Sequence, residues 1–533
     1  MGGTVSAIPP VPEGFPYFCM TFRTTDKITL VHAPPQLVNQ LVSEISKIWR
    51  IDRQQWKSDG SFELKLNGSL FAMHNSKTEA LASKRLTCHI LSFLFCAGWE
   101  PLISSDLSQL YDLTSWFFQR INSTNQSLTP PHIVCLSISS FDKLQLVNAD
   151  DNLCSTLVQA VQSGYRPGMQ ETPESVGNTG DFEVKLRGYP WNSSQLEDGI
   201  YARQLILEII AKFDAIGLKL FTTANVKGTA DNLYFKRATD AFSLPPGETR
   251  YMMLSLNSND RVRLINYDSS RSSELLSALR TLIGQFWSRG VQSEREYPDL
   301  RTYEFKLSGY PWLSSGFEAV SARLLITAIL QNLLARGWAM VSSLDVCRRP
   351  NDKAVFVLRT CQPTQMQHCC LALSSSDKMR LINAGEELTA VARQVVISAN
   401  NWPHGIKQES VTAGAFEWKL HGSPWTGVFG NDNVVARHLL LRLLEALAAA
   451  GWRVIASADV SAKYVHRENG PDYAQDVHSW FLAHTGVATG SSSASSTQLP
   501  LLNPSAPVFG IDSSSLPPPS YNDVMAANVT QTT

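Results

Sequence analysis

Three polar residue types recur at fixed spacing in four parts of the chain, and together they could bind or act on a small anion. A glutamate and a lysine alternate in a short strand pattern, and an arginine follows the lysine by 17 to 20 residues, near the start of a predicted helix. Catalytic and anion-binding sites use an acid, a base and an arginine clamp. The four sets are Glu63, Lys65 and Arg85; Glu183, Lys185 and Arg203; Glu304, Lys306 and Arg323; and Glu417, Lys419 and Arg437.

The same residues could instead hold the fold together. A Glu–Arg or Asp–Arg pair can tie a helix to a sheet, and a lysine stem can cover apolar surface. A further acidic position recurs eight residues after each helix-ending glycine, but Asn225 interrupts the series of Asp106, Asp345 and Asp459. A structural hydrogen bond tolerates that change better than catalysis would. We therefore interpret the repeated polar positions as structural and expect no enzymatic activity; a tandem small-molecule-binding or enzymatic array is the alternative.

The elements that carry these residues recur as a block of about 117 residues, which is the size of a domain. In the third copy, two apolar runs flank a turn at 257–260, and helical periodicity follows at 273–287 and at about 317–336. Each copy is predicted to be strand-strand-helix-strand-helix-strand-strand, an α+β module whose antiparallel sheet carries helices on one face. A paired aspartate marks each copy at Asp26, Asp142, Asp260 and Asp377.

The repeat divides the chain into four modules and two tails. We place the modules at 15–129, 130–246, 247–364 and 365–487, with disordered tails at 1–14 and 488–533. This phase leaves no half-module with an unpaired sheet edge. Because each copy has its own strands and two amphipathic helices, we expect modules 3 and 4 to fold without the first half. Whether the modules form a pseudo-symmetric or a linear arrangement stays open, as does the oligomeric state.

Two apolar positions also repeat. The first is occupied by thiol or thioether side chains, and a position that accepts either is an apolar strand position rather than a metal ligand or a nucleophile. The second follows a glycine turn and is expected to cap the module core. The first set is Cys19, Cys135, Met253 and Cys370, and the second is Phe71, Trp191, Trp312 and Trp425.

Composition excludes several classes of function. A net charge of −1 and a pI near 6.8 give no basic field for nucleic acid. Eleven histidines show no metal-ligand spacing, and we expect no metal and no cofactor. No stretch of 18 apolar residues predicts a membrane span, and the N-terminus lacks a secretory signal, so we expect an intracellular protein.

The N-terminus carries the first specific signal. Met1-Gly2-Gly3-Thr4-Val5-Ser6 fits the N-myristoylation pattern, in which Gly2 is acylated after Met removal. An unmodified flexible tail is the alternative. One myristoyl chain gives only marginal membrane affinity, on the order of 10⁴ M⁻¹, so a second membrane contact would be needed.

The C-terminal tail carries the second signal. Pro518-Pro519-Ser520-Tyr521 has the Pro-Pro-x-Tyr form and resembles ligands of WW domains, in which a polyproline II segment docks in an aromatic groove. Tyr521 and Val524 also fit a Tyr-x-x-apolar pattern that resembles a clathrin-adaptor sorting signal. By this resemblance, Pro518, Pro519 and Tyr521 would bind a WW-domain protein, and the partners associated with such tails are HECT-type ubiquitin ligases.

These signals together predict a non-enzymatic adaptor. The modules would form its body, Gly2 would attach it to the cytosolic face of the plasma membrane or an endosome, and the C-terminal motif would recruit the ligase.

Overall fold

The computed structural model describes residues 12–486 except 24, 73–75, 108–111, 122–129, 177–180, 227–229, 238–248, 269–272, 348–352, 426–431, 462–463, 466–472 and 475–476. The motifs at Gly2, Pro518, Pro519, Tyr521 and Val524 lie outside the described residues, as do the predicted tails apart from 12–14. Up to Ala488 the chain forms one unit.

The first two modules have the same order of elements. Module 1 comprises β1 (Tyr17–Arg23), β2 (Lys27–Val31), α1 (Pro35–Ile48), β3 (Ile51–Trp56), β4 (Phe62–Leu66), α2 (Lys77–Cys96), β5 (Trp99–Ser105) and β6 (Asp112–Arg120). Module 2 comprises β7 (Ile133–Ser139), β8 (Lys143–Val147), α3 (Asp151–Gly164), β9 (Glu174–Val176), β10 (Asp181–Lys185), α4 (Leu196–Ala215), β11 (Leu218–Ala224) and β12 (Asn232–Arg237).

The last two modules repeat that order. Module 3 comprises β13 (Tyr251–Asn257), β14 (Arg261–Ile265), α5 (Ser273–Phe286), β15 (Val291–Tyr297), β16 (Thr302–Leu307), α6 (Gly316–Ala335), β17 (Trp338–Leu344) and β18 (Val355–Thr360). Module 4 comprises β19 (His368–Ser374), β20 (Lys378–Ile382), α7 (Glu386–Ile397), β21 (Ile406–Thr412), β22 (Ala415–Leu420), α8 (Asp432–Ala449), β23 (Trp452–Ala458), a short pair β24 (Tyr464–Val465) and β25 (Tyr473–Ala474), and β26 (Ser479–His484).

Each module is an α+β unit with one antiparallel six-stranded sheet, which confirms the predicted fold class. The strand order in module 1 is β3-β4-β2-β1-β6-β5, and the other three sheets have the equivalent order. The sixth strand is an addition to the predicted pattern. It is the outer strand (β3, β9, β15 or β21), and its sequence carries no apolar alternation because it lies exposed at the sheet edge, as the pattern of Ile51–Trp56 illustrates.

The second helix of each module (α2, α4, α6 or α8) is buried around most of its circumference, and in α6 and α8 one segment is buried on all sides. In α6, the six consecutive residues from Leu325 to Leu330 are all buried, so no face of this segment meets solvent. In α8 the same holds from Val434 to Leu441. A helix with this pattern must lie between two apolar layers. Within the described residues, α6 is the one helix long and apolar enough to cross a membrane, with 61% of that stretch buried inside the protein.

The two layers are the sheets of neighbouring modules. Alternate residues of β1 point to opposite faces: Phe18 and Met20 pack in the core that holds α2, whereas Tyr17 and Cys19 pack in the core that holds α8 of module 4. Every sheet is therefore covered on both faces, by its own helices on one side and by the second helix of the preceding module on the other.

All four hydrophobic cores are shared between neighbouring modules. The core around α2 includes Cys135 and Val147 of module 2, and the core around α4 includes Met253 of module 3. The core around α6 includes Cys370 of module 4. Most contacts still lie within a module, but the repeated apolar position packs in the core around the second helix of the preceding module.

The modules close into a ring, which answers the question that the sequence left open. The second helices α2, α4, α6 and α8 pack on β7, β13, β19 and β1, respectively, so module 4 contacts module 1. The inner strands β5, β11, β17 and β23 each contact two others around the centre. The sheets are thus arranged radially, as in a β-propeller, with helices between them. We call each interface between a second helix and the next sheet a seam, numbered by its modules (1–2, 2–3, 3–4 and 4–1).

Candidate functional site

The four repeated glutamates lie in the strand next to the hairpin, and cations of the neighbouring strand surround them. Glu304 lies 2.6 Å from both Arg261 and Arg263, and Arg263 is its direct cross-strand partner. Glu417 lies 2.5 Å from Arg380 in the same arrangement. Burial alone would raise the pKa of Glu417, but Arg380 and Lys378 outweigh it and lower that pKa. These carboxylates are ionised partners of strand cations.

The repeated arginines project from the second helices across the seams. The Nε atom of Arg203 donates to Ser255 at 3.0 Å, and that of Arg323 donates to Ser479 at 3.0 Å. Arg437 donates to Thr21 at 2.8 Å. In each case the acceptor belongs to the next module, so these arginines hold neighbouring modules together.

At seam 1–2 the arginine forms an ion pair. Arg85 pairs with Asp181, whose side chain is fully buried. Lys77 of the same helix reaches Glu183 at 3.3 Å. A Glu–Arg pair within one module was among the expected structural contacts, and the geometry does not allow it in module 1. Glu63 and Arg85 lie on opposite faces of the first sheet, because α2 covers the face that carries Leu64.

The repeated lysines are partly exposed and lie near hairpin aspartates. Lys65 is 3.7 Å from Asp26, and Lys306 is 3.9 Å from Asp260. Lys185 instead pairs with Glu171 at 2.8 Å. In module 4, where Lys419 is half-buried, the aspartate Asp377 pairs with Lys407 of the outer strand at 2.9 Å. Within one set, the glutamate lies among the strand cations, the lysine lies near the hairpin and the arginine lies on the second helix. The three side chains therefore do not form one site.

A hydroxyl layer at the ring centre was missed by the sequence analysis. Ser343 donates to the Ser457 carbonyl at 2.6 Å, and Thr223 donates to the Ser343 carbonyl at 3.2 Å. Ser457 contacts the Ser105 hydroxyl at 2.9 Å, and Trp480 Nε1 donates to the same hydroxyl at 2.9 Å. The available signal was a serine or threonine near the C-terminal end of every inner strand. These bonds join all four inner strands.

Two half-buried titratable groups lie beside this layer. His478 Nδ1 lies 3.1 Å from Ser457 Oγ, and burial lowers the pKa of His478 to about 4. Asp231 Oδ2 accepts from the Asp345 backbone at 2.7 Å, and burial raises the pKa of Asp231 to about 7. A serine beside a neutral histidine could form a nucleophile–base pair, but Ser457 is only 3% exposed and its hydroxyl already bonds to Ser105.

The thiol position and the turn aromatics are buried as predicted. Cys19, Cys135, Met253 and Cys370 are each 0% exposed. Burial raises the pKa of the Cys370 thiol to about 12, which removes thiolate reactivity near neutral pH. The turn aromatics Phe71, Trp191, Trp312 and Trp425 are at most 1% exposed. Within the described ranges, no three His, Cys, Asp or Glu side chains are placed to hold a metal ion.

Both ends of the ring-forming chain attach at seam 4–1. The Phe15 ring lies 5.4 Å from the Arg442 guanidinium of module 4 and 5.6 Å from the His32 ring. His32 Nε2 lies 2.5 Å from His438 Nδ1. Burial, with Arg442 nearby, lowers the pKa of His32 to about 3 and that of His438 to about 4, so both rings are neutral near pH 7. The last strand, β26, ends at His484 in module 4.

The fold defines a closed ring of four homologous α+β modules joined by shared cores. One domain family accounts for all four: its model matches residues 16–119, 132–243, 250–359 and 367–483, and the chain belongs to that family. No curated protein and no solved structure matches the chain.

Proposed function

We propose that the protein is a membrane-associated, non-enzymatic adaptor that recruits a WW-domain protein, with a HECT-type ubiquitin ligase as the expected partner. Gly2 is the proposed lipid attachment site, and Pro518, Pro519 and Tyr521 are the proposed ligase-binding residues. The ring is the platform that connects them on the cytosolic face of the plasma membrane or an endosome.

The shared attachment point of the two tails supports this proposal. The linker at seam 3–4 sets an upper limit on the distance from the end of one module to the start of the next, because residues 361–367 join Thr360 to His368 there. A segment of that length spans at most about 28 Å. At seam 4–1, His484 occupies the position of Thr360, because β26 is the equivalent of β18. Tyr17 occupies the position of His368, because β1 is the equivalent of β19. The tail that carries the WW-binding motif and the tail that carries the lipid anchor would therefore leave the ring at the same seam.

The location of the repeated arginines favours the adaptor over an array of ligand sites. Arg203, Arg323 and Arg437 are at most 5% exposed and donate into the seams. A ligand would have to displace the contacts that close the ring. An adaptor, in which the ring is a rigid body and the two ends carry the binding motifs, requires no such displacement.

The recruitment step is tested by Tyr521→Ala in the full chain. We expect pull-down by a panel of WW domains to fall roughly thirtyfold, since the ring of Tyr521 is one of few anchors on a short peptide and about 2 kcal/mol corresponds to that factor. Pro504→Ala, which alters the same tail outside the motif, is the matched control. Val524→Ala separates WW binding from a sorting signal, because it should leave the pull-down intact. Equal recovery of Tyr521→Ala and wild type would rule out this partner.

The membrane step is tested by Gly2→Ala. Intact mass spectrometry should find a myristoyl group on the wild type and none on the variant, and fractionation should move the variant to the cytosol. An unmodified or acetylated wild-type N-terminus would remove the lipid anchor from the proposal and leave the WW-binding step standing.

A further inference from the structure

Modules 2 and 3 expose aromatic side chains at one end of the ring. This end, which we call the hairpin end, holds the turns between the first two strands of every module. In module 2, Phe141 of the hairpin turn is 48% exposed and Tyr189 of the following glycine turn is 65% exposed. Their ring centroids are 6.4 Å apart. The two aromatics therefore form one small apolar surface.

Module 3 presents a similar surface at the equivalent turn. Tyr310 is 64% exposed, Phe317 is 55% exposed and Leu313 is 36% exposed. Modules 1 and 4 have Ser69 and Ser423 at the position of the exposed tyrosines. Five of the nine exposed large hydrophobic residues in the described part of the chain lie in these turns of modules 2 and 3 or, for Phe317, at the start of α6. We call Phe141, Tyr189, Tyr310, Leu313 and Phe317 the aromatic rim.

The rim is held on a rigid support. The buried Trp191 follows Tyr189 by two residues, and its backbone donates to the Phe141 carbonyl at 3.2 Å. Trp312 is also buried, and its backbone donates to the Asn259 carbonyl at 3.1 Å. The indole Nε1 atoms of Trp191 and Trp312 donate to strand carbonyls at 3.1 and 3.2 Å. Each turn is therefore fixed to its hairpin, and the exposed aromatics remain outside the core.

We propose that the aromatic rim inserts into a lipid bilayer and is the second membrane contact that a single acyl chain requires. Tyrosine is amphipathic and suits the bilayer interface, while phenylalanine and leucine at turn tips suit the apolar region beneath it. The cations near these turns are largely paired with acids, as Lys143 is with Glu183, and the chain has a net charge of −1. Insertion would therefore depend on apolar contact rather than on anionic lipid.

The length of the N-terminal segment is compatible with both contacts acting together. Gly2 precedes Phe15 by 13 residues, a maximum reach of about 45 Å. The strand β1 has seven residues and spans about 23 Å between the two ends of the sheet. An acyl chain attached at seam 4–1 can therefore reach the plane of the hairpin end. The rim lies on modules 2 and 3, across the ring axis from that seam, so the two contacts would hold the ring flat on the bilayer.

The inference deepens the proposed function and rests on it for its membrane setting, but its test does not need the lipid anchor. The full-length Gly2→Ala protein is sedimented with phosphatidylcholine vesicles and with vesicles containing phosphatidylserine. The test variant adds Phe141→Ser, Tyr189→Ser and Phe317→Ser. The matched control adds Trp56→Ser and Val411→Ser, which alter side chains that are 51% and 68% exposed on the outer strands of modules 1 and 4.

The rim alone is a single weak contact, which is too weak to keep Gly2→Ala protein on membranes in cells but is measurable at high lipid concentration. Under that condition we expect Gly2→Ala protein to bind both vesicle types and to retain binding in high salt. Partitioning should fall at least tenfold with the rim substitutions but not with the control pair. Unchanged thermal melting would show that the substitutions leave the ring folded. The inference is overturned if the Gly2→Ala protein binds neither vesicle, if binding disappears in high salt, or if both variants bind alike. If the rim substitutions have no effect but Gly2 is acylated, the rim inference fails and the proposed function stands. If Gly2 is unmodified but vesicle binding depends on the rim, the lipid anchor fails and the rim inference stands.

Discussion

Seams 1–2 and 4–1 have the same architecture but different chemistry at their centres. At seam 1–2, Lys84 is 3% exposed and donates to Gln145 at 2.5 Å, and Asp181 is buried opposite Arg85. The equivalents of Lys84 are alanines in the other three second helices, and no other module has an acid at the position of Asp181. At seam 4–1, two neutral imidazoles and the Phe15 ring fill the outer part of the interface.

The four seams are therefore not interchangeable. Buried charges are costly unless their partners are in place, so a helix carrying Lys84 and Arg85 fits the sheet of module 2 better than any other. The apolar packing that all seams share would by itself allow several pairings. The charged residues at seam 1–2 thus favour the pairing of α2 with the sheet of module 2 over other pairings. Seam 4–1, which no linker spans, is held by apolar packing and uncharged rings.

The largest effect should come from removing half the ring. Residues 247–485 alone would expose Met253 and Tyr251, which pack against α4, and would leave α8 without the sheet of module 1. We expect this fragment to be insoluble or molten, with lost near-UV circular dichroism. Co-expression with residues 1–246 should restore a soluble complex. A soluble, cooperatively folded fragment would show that the shared cores are dispensable.

Breaking the charge pair at seam 1–2 should have the next largest effect. Asp181→Ala leaves Arg85 without its acid, and we expect a loss of about 3 kcal/mol in the free energy of unfolding, below the upper range for buried pairs because Arg85 is 30% exposed. Urea denaturation measures it. Glu171→Ala is the matched control: it removes a carboxylate that is 56% exposed and should cost under about 1 kcal/mol. Equal losses for the two variants would contradict the special role of the buried pair.

Phe15→Ala tests seam 4–1. Phe15 is 6% exposed, and truncating a buried phenylalanine costs about 3 kcal/mol, a value reduced to about 2 here because the site lies at the outer edge of the seam. Hydrogen exchange should rise first in β1 and α8. Phe15→Leu should retain most of the stability. If protection falls equally at all four seams, Phe15 does not act on this seam in particular.

The smallest effect concerns pH. The pKa values of His32 and His438 are lowered to about 3 and about 4 in the folded protein, so the unfolded chain binds protons first as pH falls. Stability from this pair is complete above pH 6.5 and is lost as pH falls from 6.5 to about 4 for His438 and to about 3 for His32, at about 1 kcal/mol per imidazole by pH 5.5. His32→Asn, which suits the left-handed backbone there, should flatten the dependence.

Seam 2–3 should respond in the opposite direction. Because burial raises the pKa of Asp231 to about 7, its contribution is complete below pH 3.8 and is lost as pH rises through 7. Asp231→Asn should therefore gain relative stability at pH 8. The free energy of unfolding is measured against pH for each variant. If His32→Asn has the same pH dependence as wild type, the assignment for seam 4–1 is wrong, and the same test applies to Asp231→Asn at seam 2–3.

Sequence patterns predicted the elements better than their partners. The predicted helices at 273–287 and 317–336 are α5 and α6, since apolar periodicity depends on local burial. The interaction partner of Arg85, which is Asp181 of module 2, could not be predicted in this way. In a chain of similar modules, a side chain that leaves its own module meets a copy of the same surface, so the pattern is identical for internal and neighbouring contacts. The outer strands were missed because their exposed residues carry no burial signal.

Ring closure also fixes how many copies the protein can have. An open tandem array needs specialised end repeats with polar outer surfaces. Here every copy is an interior copy, and none carries such a surface. A gene variant that lost or gained one module would have to change the angle at every interface or leave two apolar faces uncovered. The copy number is therefore constrained by geometry, whereas the individual turns and the two ends of the chain are free of that constraint and can carry features that differ from module to module.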